Sequence, residues 1–243
     1  MPLATPSVPQ GLRLYAIGDI HGRVDLLETL MQKVDADRQS AAGTVQKIFL
    51  GDYVDRGLAS RQVIDFLLGL RAGEKMPPIF LRGNHEQVML ALLRDPGNDE
   101  LMEDWLRFGG RETLMSYGVR VPFSGGPAAP LVAALKAAMP PAHAEFLESL
   151  ALHAEFGDYY FCHAGVRPGV ALAAQAEQDL VWIRHDFLGH REPFGKIVVH
   201  GHTICREVEF RSNRIGIDTG AYATGCLTGL ALEGNKRWLL QTV

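Results

Sequence analysis

Short apolar runs alternate with polar, glycine-containing loops and with stretches of helical apolar spacing three times in the first hundred residues. The strand-like runs are Leu12–Ile17 and residues 47–50 and 78–81, and the helix-like stretches are residues 24–34, 60–70 and 86–94. Strand, loop and helix in this repeated order predict parallel strands joined by helical crossovers. Ser60, at the start of the second helix-like stretch, is expected to cap that helix.

The pattern changes after the third repeat. Residues 95–158 contain proline-rich loops and apolar residues at helical periods, which predict a helical insertion or lid between two halves of the fold. Strand-like runs joined by short turns follow and predict an antiparallel second half. These runs are residues 159–162, 196–199, 207–211, 214–217, 227–232 and 238–241. Residues 1–10 contain three prolines and predict a flexible tail, so residues 11–243 are expected to form a single domain.

The composition limits the classes of partner. Of the 243 residues, 47% are apolar and 21% are charged, and the formal net charge is −4. These values are typical of a globular protein and give no overall basic field to attract nucleic acid or an anionic membrane. We therefore expect neither as a partner. The three cysteines show no paired metal-ligand spacing and fit a reducing compartment such as the cytoplasm.

Five short motifs follow directly on strand-like runs. GDIHG occupies residues 18–22, GDYVDRG residues 51–57, GNHE residues 83–86, HAG residues 163–165 and HGHT residues 200–203. Ligands of parallel sheets collect at the carboxyl ends of the strands, so the polar side chains of these motifs are expected at one edge. Carboxylates, imidazoles and an amide suit a pair of divalent metals. The expected metal ligands are Asp19, His21, Asp52, Asn84, His163 and His202.

These ligands divide naturally between two ions. We assign Asp19 and His21 to the first metal, and Asn84 with the two later histidines to the second metal. Asp52 is expected to bridge both metals through its two oxygens. Each metal then has three or four protein ligands, which leaves room for water and substrate.

The five motifs, in this order, resemble those of the phosphoprotein phosphatase family of calcineurin-like metallophosphoesterases, in its compact bacterial and phage form. The resemblance implies an α/β fold of four layers, in which a central mixed β-sandwich is flanked by helices. It also implies two divalent ions, Mn, Fe or Zn, with Mn expected to support activity in vitro, and direct attack on phosphorus by a metal-bound hydroxide. By the same resemblance, His85 is the general acid, Asp55 positions it, and Arg56 and Arg184 bind phosphate.

The resemblance favours a metal-dependent phosphatase that acts on phosphoserine and phosphothreonine in proteins or peptides, releases inorganic phosphate and resides in the cytoplasm. A serine alkoxide is a poor leaving group, and a positioned histidine that protonates it typically contributes about 10²–10⁴-fold. The closest alternative is a hydrolase of dinucleoside polyphosphates such as diadenosine tetraphosphate. Symmetrical enzymes of that kind commonly lack the equivalent of Asp55, since a pyrophosphate leaving group needs less acid. A further alternative is a non-catalytic module that binds metal or phosphate.

Three positions stay open at this point. His200 lies two residues before His202, so it either contacts metal or phosphate or is a hydrogen-bonded histidine at the end of a strand. Arg184 either binds phosphate or pairs with Asp186 at the surface. Residues 105–118 resemble a segment at the active-site mouth of bacterial family members, but their role is not specified by the sequence.

Overall fold

Each of the two sheets buries both of its faces. The computed structural model describes residues 5–243 and contains two sheets of five strands each. A core between the sheets includes Leu14 and Ile48 from the first sheet and Phe161 and Val199 from the second. The opposite face of each sheet packs against helices. The predicted four-layer α/β architecture, a mixed β-sandwich flanked by helices, is therefore confirmed.

The first sheet contains the strands of the three repeats at the start of the chain and the last hairpin. Its strand order is β10-β9-β1-β2-β3, with β1, β2 and β3 parallel and β9 and β10 antiparallel. The strands are β1 (Leu12–Ile17), β2 (Thr44–Phe49), β3 (Ile79–Phe80), β9 (Thr228–Glu233) and β10 (Lys236–Gln241). The parallel pairing of the first three strands follows the prediction from the repeated pattern.

The second sheet has the order β4-β5-β6-β8-β7. Its strands are β4 (His153–Phe156), β5 (Tyr159–Cys162), β6 (Ile197–His200), β7 (Glu209–Phe210) and β8 (Arg214–Gly216). The prediction of an antiparallel second half is wrong for the centre of this sheet, because β6 is parallel to both of its neighbours. The long connection between β5 and β6 allows a crossover, whereas strand length and turn residues alone do not specify direction.

Helices cover both outer faces. The crossovers of the first sheet are α1 (Val24–Arg38) and α2 (Ser60–Gly73), and α3 (Asn84–Arg94) follows β3. The region 95–158 contains α4 (Asp99–Trp105), a π-helical turn (Leu106–Gly110), α5 (Arg111–Ser116), α6 (Ala128–Ala138) and α7 (Pro141–Glu148), and it ends in strand β4. The second sheet is covered by α8 (Glu177–Trp182) and α9 (His185–Gly189), and α10 (Ala221–Thr224) precedes β9.

Two local expectations differ from the structure. Ser60 begins α2 but makes no capping bond, since its hydroxyl accepts a hydrogen bond from the backbone N–H of Asp55 instead. The expected tail packs onto the domain from residue 7, because Val8 is buried and its N–H donates to the carbonyl of Gly234. Residues 1–4 of that expected tail lie outside the described residues. Within residues 5–243, the structure has no helix long and apolar enough to cross a membrane.

Candidate metal centre

Loops from both sheets meet at Asp52, directly after β2. Its Oδ2 lies 3.5 Å from Nε2 of His21, and its Oδ1 lies 3.4 Å from Nε2 of His163. Two groups of metal-ligand atoms, each within 4.8 Å of one another, share this residue. The first group contains His21, Asp52 and His85, and the second contains Asp52, His163 and His202. The carboxylate thus faces both groups, as a bridging ligand must.

The backbone at Asp52 is strained and is held by a buried carboxylate. Asp52 has φ 51° and His21 has φ 46°, in the left-handed region that costs a non-glycine residue about 1–2 kcal/mol. Glu86 accepts hydrogen bonds from the backbone N–H groups of Asp52 and Gly83, at 2.9 and 3.0 Å, and from that of Tyr53. Burial, with a contribution from Asp52, raises the pKa of Glu86 to about 8. The last residue of GNHE therefore ties the second motif to the third.

Two of the histidines are oriented by backbone carbonyls. Nδ1 of His21 lies 2.9 Å from the carbonyl oxygen of Val54, and Nδ1 of His163 lies 2.9 Å from that of Leu50. Each Nδ1–H donates to its carbonyl, so each Nε2 lone pair faces the centre. Burial lowers the pKa of His21 to about 3 and also lowers the pKa of His163. Both rings are therefore neutral, as metal ligands require.

Asn84 joins the second group through its side-chain oxygen. Oδ1 of Asn84 lies 2.9 Å from Nε2 of His163 and 2.8 Å from Nδ1 of His202. Because the proton of His163 is used at Leu50, its Nε2 and the amide oxygen are two acceptors that face each other. Acceptors that converge in this way fit a divalent cation between them.

Asp19 belongs to the expected ligand set but lies outside the two groups. Its Oδ2 accepts a hydrogen bond from the backbone N–H of His202 at 3.0 Å, and its buried Oδ1 has no hydrogen-bond partner within residues 5–243. Gly201 lies so close that a Cβ there would stand 2.0 Å from Oδ1, so the HGH motif requires glycine at this position. Burial raises the pKa of Asp19 well above its usual range. Burying a carboxylate oxygen without a partner costs free energy unless a cation binds to it. The side chains around Asp19 are chemically suited to bind such a cation.

His85 stands beside the metal ligands and is bound to Asp55. Nδ1 of His85 lies 2.6 Å from Oδ2 of Asp55. Although burial opposes the charged form, Asp52 and Asp55 raise the pKa of His85 to about 9. The imidazole is therefore protonated at neutral pH, with Nδ1–H donating to Asp55 and Nε2–H facing the centre.

Two residues of the insertion fix Asp55, and the sequence did not identify them. The indole Nε1–H of Trp105 donates to Oδ2 of Asp55 at 2.9 Å, and the hydroxyl of Thr113 donates to Oδ1 at 2.6 Å. Both belong to the segment 105–118 whose role was open. Asp55 is fully buried with both oxygens paired, so its orientation toward His85 is rigid.

Arg56 is positioned by its backbone and by an aromatic ring. Its φ is 67°, and its N–H donates to the carbonyl of Gly109 at 3.1 Å. Its guanidinium carbon lies 4.6 Å from the ring centroid of Tyr222, a third residue that the sequence did not identify. The same ring contacts His21 edge-on, with centroids 5.5 Å apart. Tyr222 therefore holds the arginine beside the first metal group.

Arg184 contacts the second group of potential ligands, whereas His200 does not belong to either group. The exposed Arg184 donates from Nε to Nε2 of His202 at 2.9 Å, whereas Asp186 pairs with Arg167, so the surface-pair alternative for Arg184 is wrong. His200 lies outside the two ligand groups. Its Nδ1–H donates to the carbonyl of Gly201 at 3.0 Å, as expected for a hydrogen-bonded histidine at a strand end.

Comparison with known proteins agrees with this geometry. The sequence model of the calcineurin-like phosphoesterase family matches residues 12–219. The asymmetrical bis(5'-nucleosyl)-tetraphosphatase PrpE of Anoxybacillus flavithermus is 25% identical over 88% of each chain. The serine/threonine-protein phosphatase BSL2 of Arabidopsis thaliana is 39% identical, but over 33% of this chain and 8% of its own.

Solved structures share the fold at low sequence identity. A putative diadenosine tetraphosphatase superimposes with a TM-score of 0.64 at 19% identity, over 99% of this chain and 96% of its own. A serine/threonine phosphatase from Saccharomyces cerevisiae gives a TM-score of 0.57 at 16% identity, over 98% of this chain and 84% of its own. On its motifs, fold and matched length, the chain belongs to the calcineurin-like phosphoesterase family.

Proposed function

We propose that this phosphoesterase removes phosphate from phosphoserine and phosphothreonine in proteins or peptides and releases inorganic phosphate. The observation that carries the proposal is the short contact between His85 and Asp55, which is 2.6 Å long and joins two buried side chains. A phosphoserine ester leaves as an alkoxide, which must be protonated as the bond to phosphorus breaks. A histidine kept protonated above neutral pH is suited to that task.

The proton has a defined position in this arrangement. Asp55 accepts the Nδ1 proton, so the Nε2 proton of His85 is the one available to the leaving oxygen. Nε2 lies 3.9 Å from Oδ2 of Asp52, within the first of the two groups. The leaving oxygen is expected to lie between this nitrogen and the metal ligands.

The remaining residues bind the phosphate and the ions. Arg56 and Arg184 stand on either side of the centre, next to the first and second ligand groups. A guanidinium fork matches two phosphate oxygens, and both arginines neutralise the dianion. Two divalent ions, when bound by the six expected ligands, would polarise the phosphoryl oxygens and lower the pKa of an attacking water. The donor set of carboxylates, imidazoles and an amide suits Mn, Fe or Zn.

A second candidate function is hydrolysis of dinucleoside polyphosphates. It is supported by the similarity, over 88% of both chains, to the asymmetrical bis(5'-nucleosyl)-tetraphosphatase of Anoxybacillus flavithermus. The two functions use the same ligands and arginines, and they differ in the leaving group. A nucleotide leaving group needs less protonation, so the elaborate support of Asp55 favours the phosphatase.

The deciding experiment compares the two substrates on one preparation. The protein is stripped of metal and reconstituted with Mn²⁺, and kcat/KM is measured for a phosphothreonine peptide and for diadenosine tetraphosphate. A kcat/KM at least tenfold higher for the peptide supports the phosphatase. A preference for the dinucleotide favours the second candidate, and no turnover of either with Mn²⁺, Fe²⁺ or Zn²⁺ contradicts both.

The expected setting is part of the same proposal. The partners are a phosphoprotein or phosphopeptide and inorganic phosphate, and the compartment is the cytoplasm. The three cysteines are unpaired in the structure, which is compatible with a reducing compartment.

A further inference from the structure

Asp218 is a buried carboxylate that the expected ligand set does not include. It follows β8 and precedes α10, and 2% of its surface is exposed. Its Oδ1 accepts a hydrogen bond from the backbone N–H of Gly220 at 2.9 Å. Its Oδ2 is buried and has no hydrogen-bond partner in the described part of the chain. The turn at Gly220 accounts for Oδ1, but nothing in the turn explains why Oδ2 is buried without a partner.

The unexplained oxygen belongs to a segment that packs against the loop of Asp19. A Cβ on Gly18 would stand 2.8 Å from the carbonyl oxygen of Ile217, so the carboxylates of Asp19 and Asp218, each one residue further along the chain, are neighbours. Asp19 also has one buried oxygen without a partner in residues 5–243. Two adjacent carboxylates with unpaired oxygens repel each other unless a cation or a shared proton stands between them. The positive charge of Arg56 attracts both carboxylates, but its guanidinium is stacked on the ring of Tyr222.

The expected ligands are fewer for the first metal than for the second. Besides Asp52, which both metals share, the second metal is expected to take Asn84, His163 and His202. The first metal is expected to take Asp19 and His21. Divalent ions of the Mn and Mg type prefer carboxylate oxygens, and a further carboxylate on the side of Asp19 would balance the two sites.

We infer that Asp218 is a further protein ligand of the first metal, which it binds together with Asp19, His21 and Asp52. Oδ2 is the ligand atom, while Oδ1 keeps its bond to Gly220. The inference rests on the metal centre of the proposed function and is independent of which phosphoester is cleaved.

An asparagine at this position separates the two roles of Asp218. Asp218→Asn keeps a side-chain oxygen for the N–H of Gly220 but removes the charge and the carboxylate oxygen. Mn²⁺ binding to the metal-free protein is measured by calorimetry and by electron paramagnetic resonance, which need no substrate. Asp19→Asn and Asn84→Ala identify which dissociation constant belongs to the first and to the second metal.

We expect Asp218→Asn to raise the dissociation constant of the first metal about 10–100-fold and to leave the second unchanged. Asp158→Asn is the matched control, because Asp158 also accepts a backbone N–H, from Ser7 at 2.9 Å, and lies at the end of β5 opposite to His163. Both constants should be unchanged in that control.

Unchanged constants in a folded Asp218→Asn protein would overturn the inference and leave Asp218 as a turn residue. A loss confined to the second metal would overturn it as well. Should the variant fail to fold, a crystal structure of the wild-type protein with Mn²⁺ decides the matter. A metal–oxygen bond from Oδ2 of Asp218 supports the inference, and its absence at an occupied first site contradicts it.

Discussion

The indole of Trp105 donates its hydrogen bond to the same oxygen of Asp55 that lies 2.6 Å from Nδ1 of His85. Trp105 ends α4, so a residue outside the five motifs also orients the carboxylate that pairs with His85. Removing this N–H leaves a buried carboxylate oxygen with one partner fewer and lowers the precision with which it orients the imidazole.

Trp105→Phe should therefore reduce kcat for a phosphothreonine peptide about tenfold, with a smaller loss on 4-nitrophenyl phosphate, whose leaving group needs no proton. Trp238→Phe is the matched control, because the Trp238 indole donates to Asp37, away from the metal groups. That control should keep kcat on both substrates. Equal losses on both substrates in the Trp105 variant would show that the indole is needed for packing alone.

His85→Asn tests the acid itself. We expect kcat for the phosphothreonine peptide to fall about 10²–10⁴-fold, while the aryl phosphate loses much less. His153→Asn is a suitable control, since His153 is an exposed histidine on β4. Steady-state kinetics at saturating Mn²⁺ give both values, and metal content is measured in parallel. If both substrates lose activity equally and metal is lost too, His85 is a ligand or a structural residue instead.

The stability of the metal-free protein should depend on pH through His85. Its folded-state pKa, about 9, lies above the unfolded value of about 6.5. A raised histidine pKa stabilises the fold fully below the unfolded value, and this contribution is lost as the pH rises through the folded value. The shift corresponds to about 3 kcal/mol.

Urea unfolding of the metal-free wild type and of His85→Asn, between pH 6 and pH 10, isolates this contribution. The difference in free energy of unfolding should shrink by about 3 kcal/mol over that range. A difference that is constant with pH would mean that Asp55 does not stabilise the imidazolium.

Gly109 is expected to be required for the placement of Arg56. Its φ is 110°, and a Cβ there would lie 2.4 Å from the backbone nitrogen of Arg56. Gly109→Ala should displace that arginine and raise KM for the phosphopeptide about tenfold, with a loss of stability. Gly118→Ala is the matched control. Gly118 also has a positive φ, 79°, but a Cβ there would meet open space, so this variant has the backbone strain without the clash. Equal effects of both variants on KM would contradict a specific contact with Arg56.

Local patterns in the sequence were sufficient to predict that the expected ligands come together at one edge. An apolar run followed by glycine and a carboxylate, histidine or asparagine marks the carboxyl end of a parallel strand, and such ends share one edge. Asp19, Asp52 and Asn84 each follow such a run and meet as expected. The predicted pair of His85 and Asp55 also forms, because β2 and β3 are adjacent parallel strands.

The contacts that complete the site were decided by tertiary structure. Trp105 reaches Asp55 from α4, and the segment of Asp218 packs against that of Asp19 although 199 positions of the chain separate them. The place of β9 was also decided by tertiary structure. It pairs with β1 in the first sheet, whereas β8, the strand before it in the chain, belongs to the second sheet. Periodicity encodes which face of an element is buried, because that depends on neighbours three or four residues away. Periodicity does not encode which distant element covers that face, because many pairings of elements would bury the same apolar surface. Packing of the whole chain selects one of these pairings.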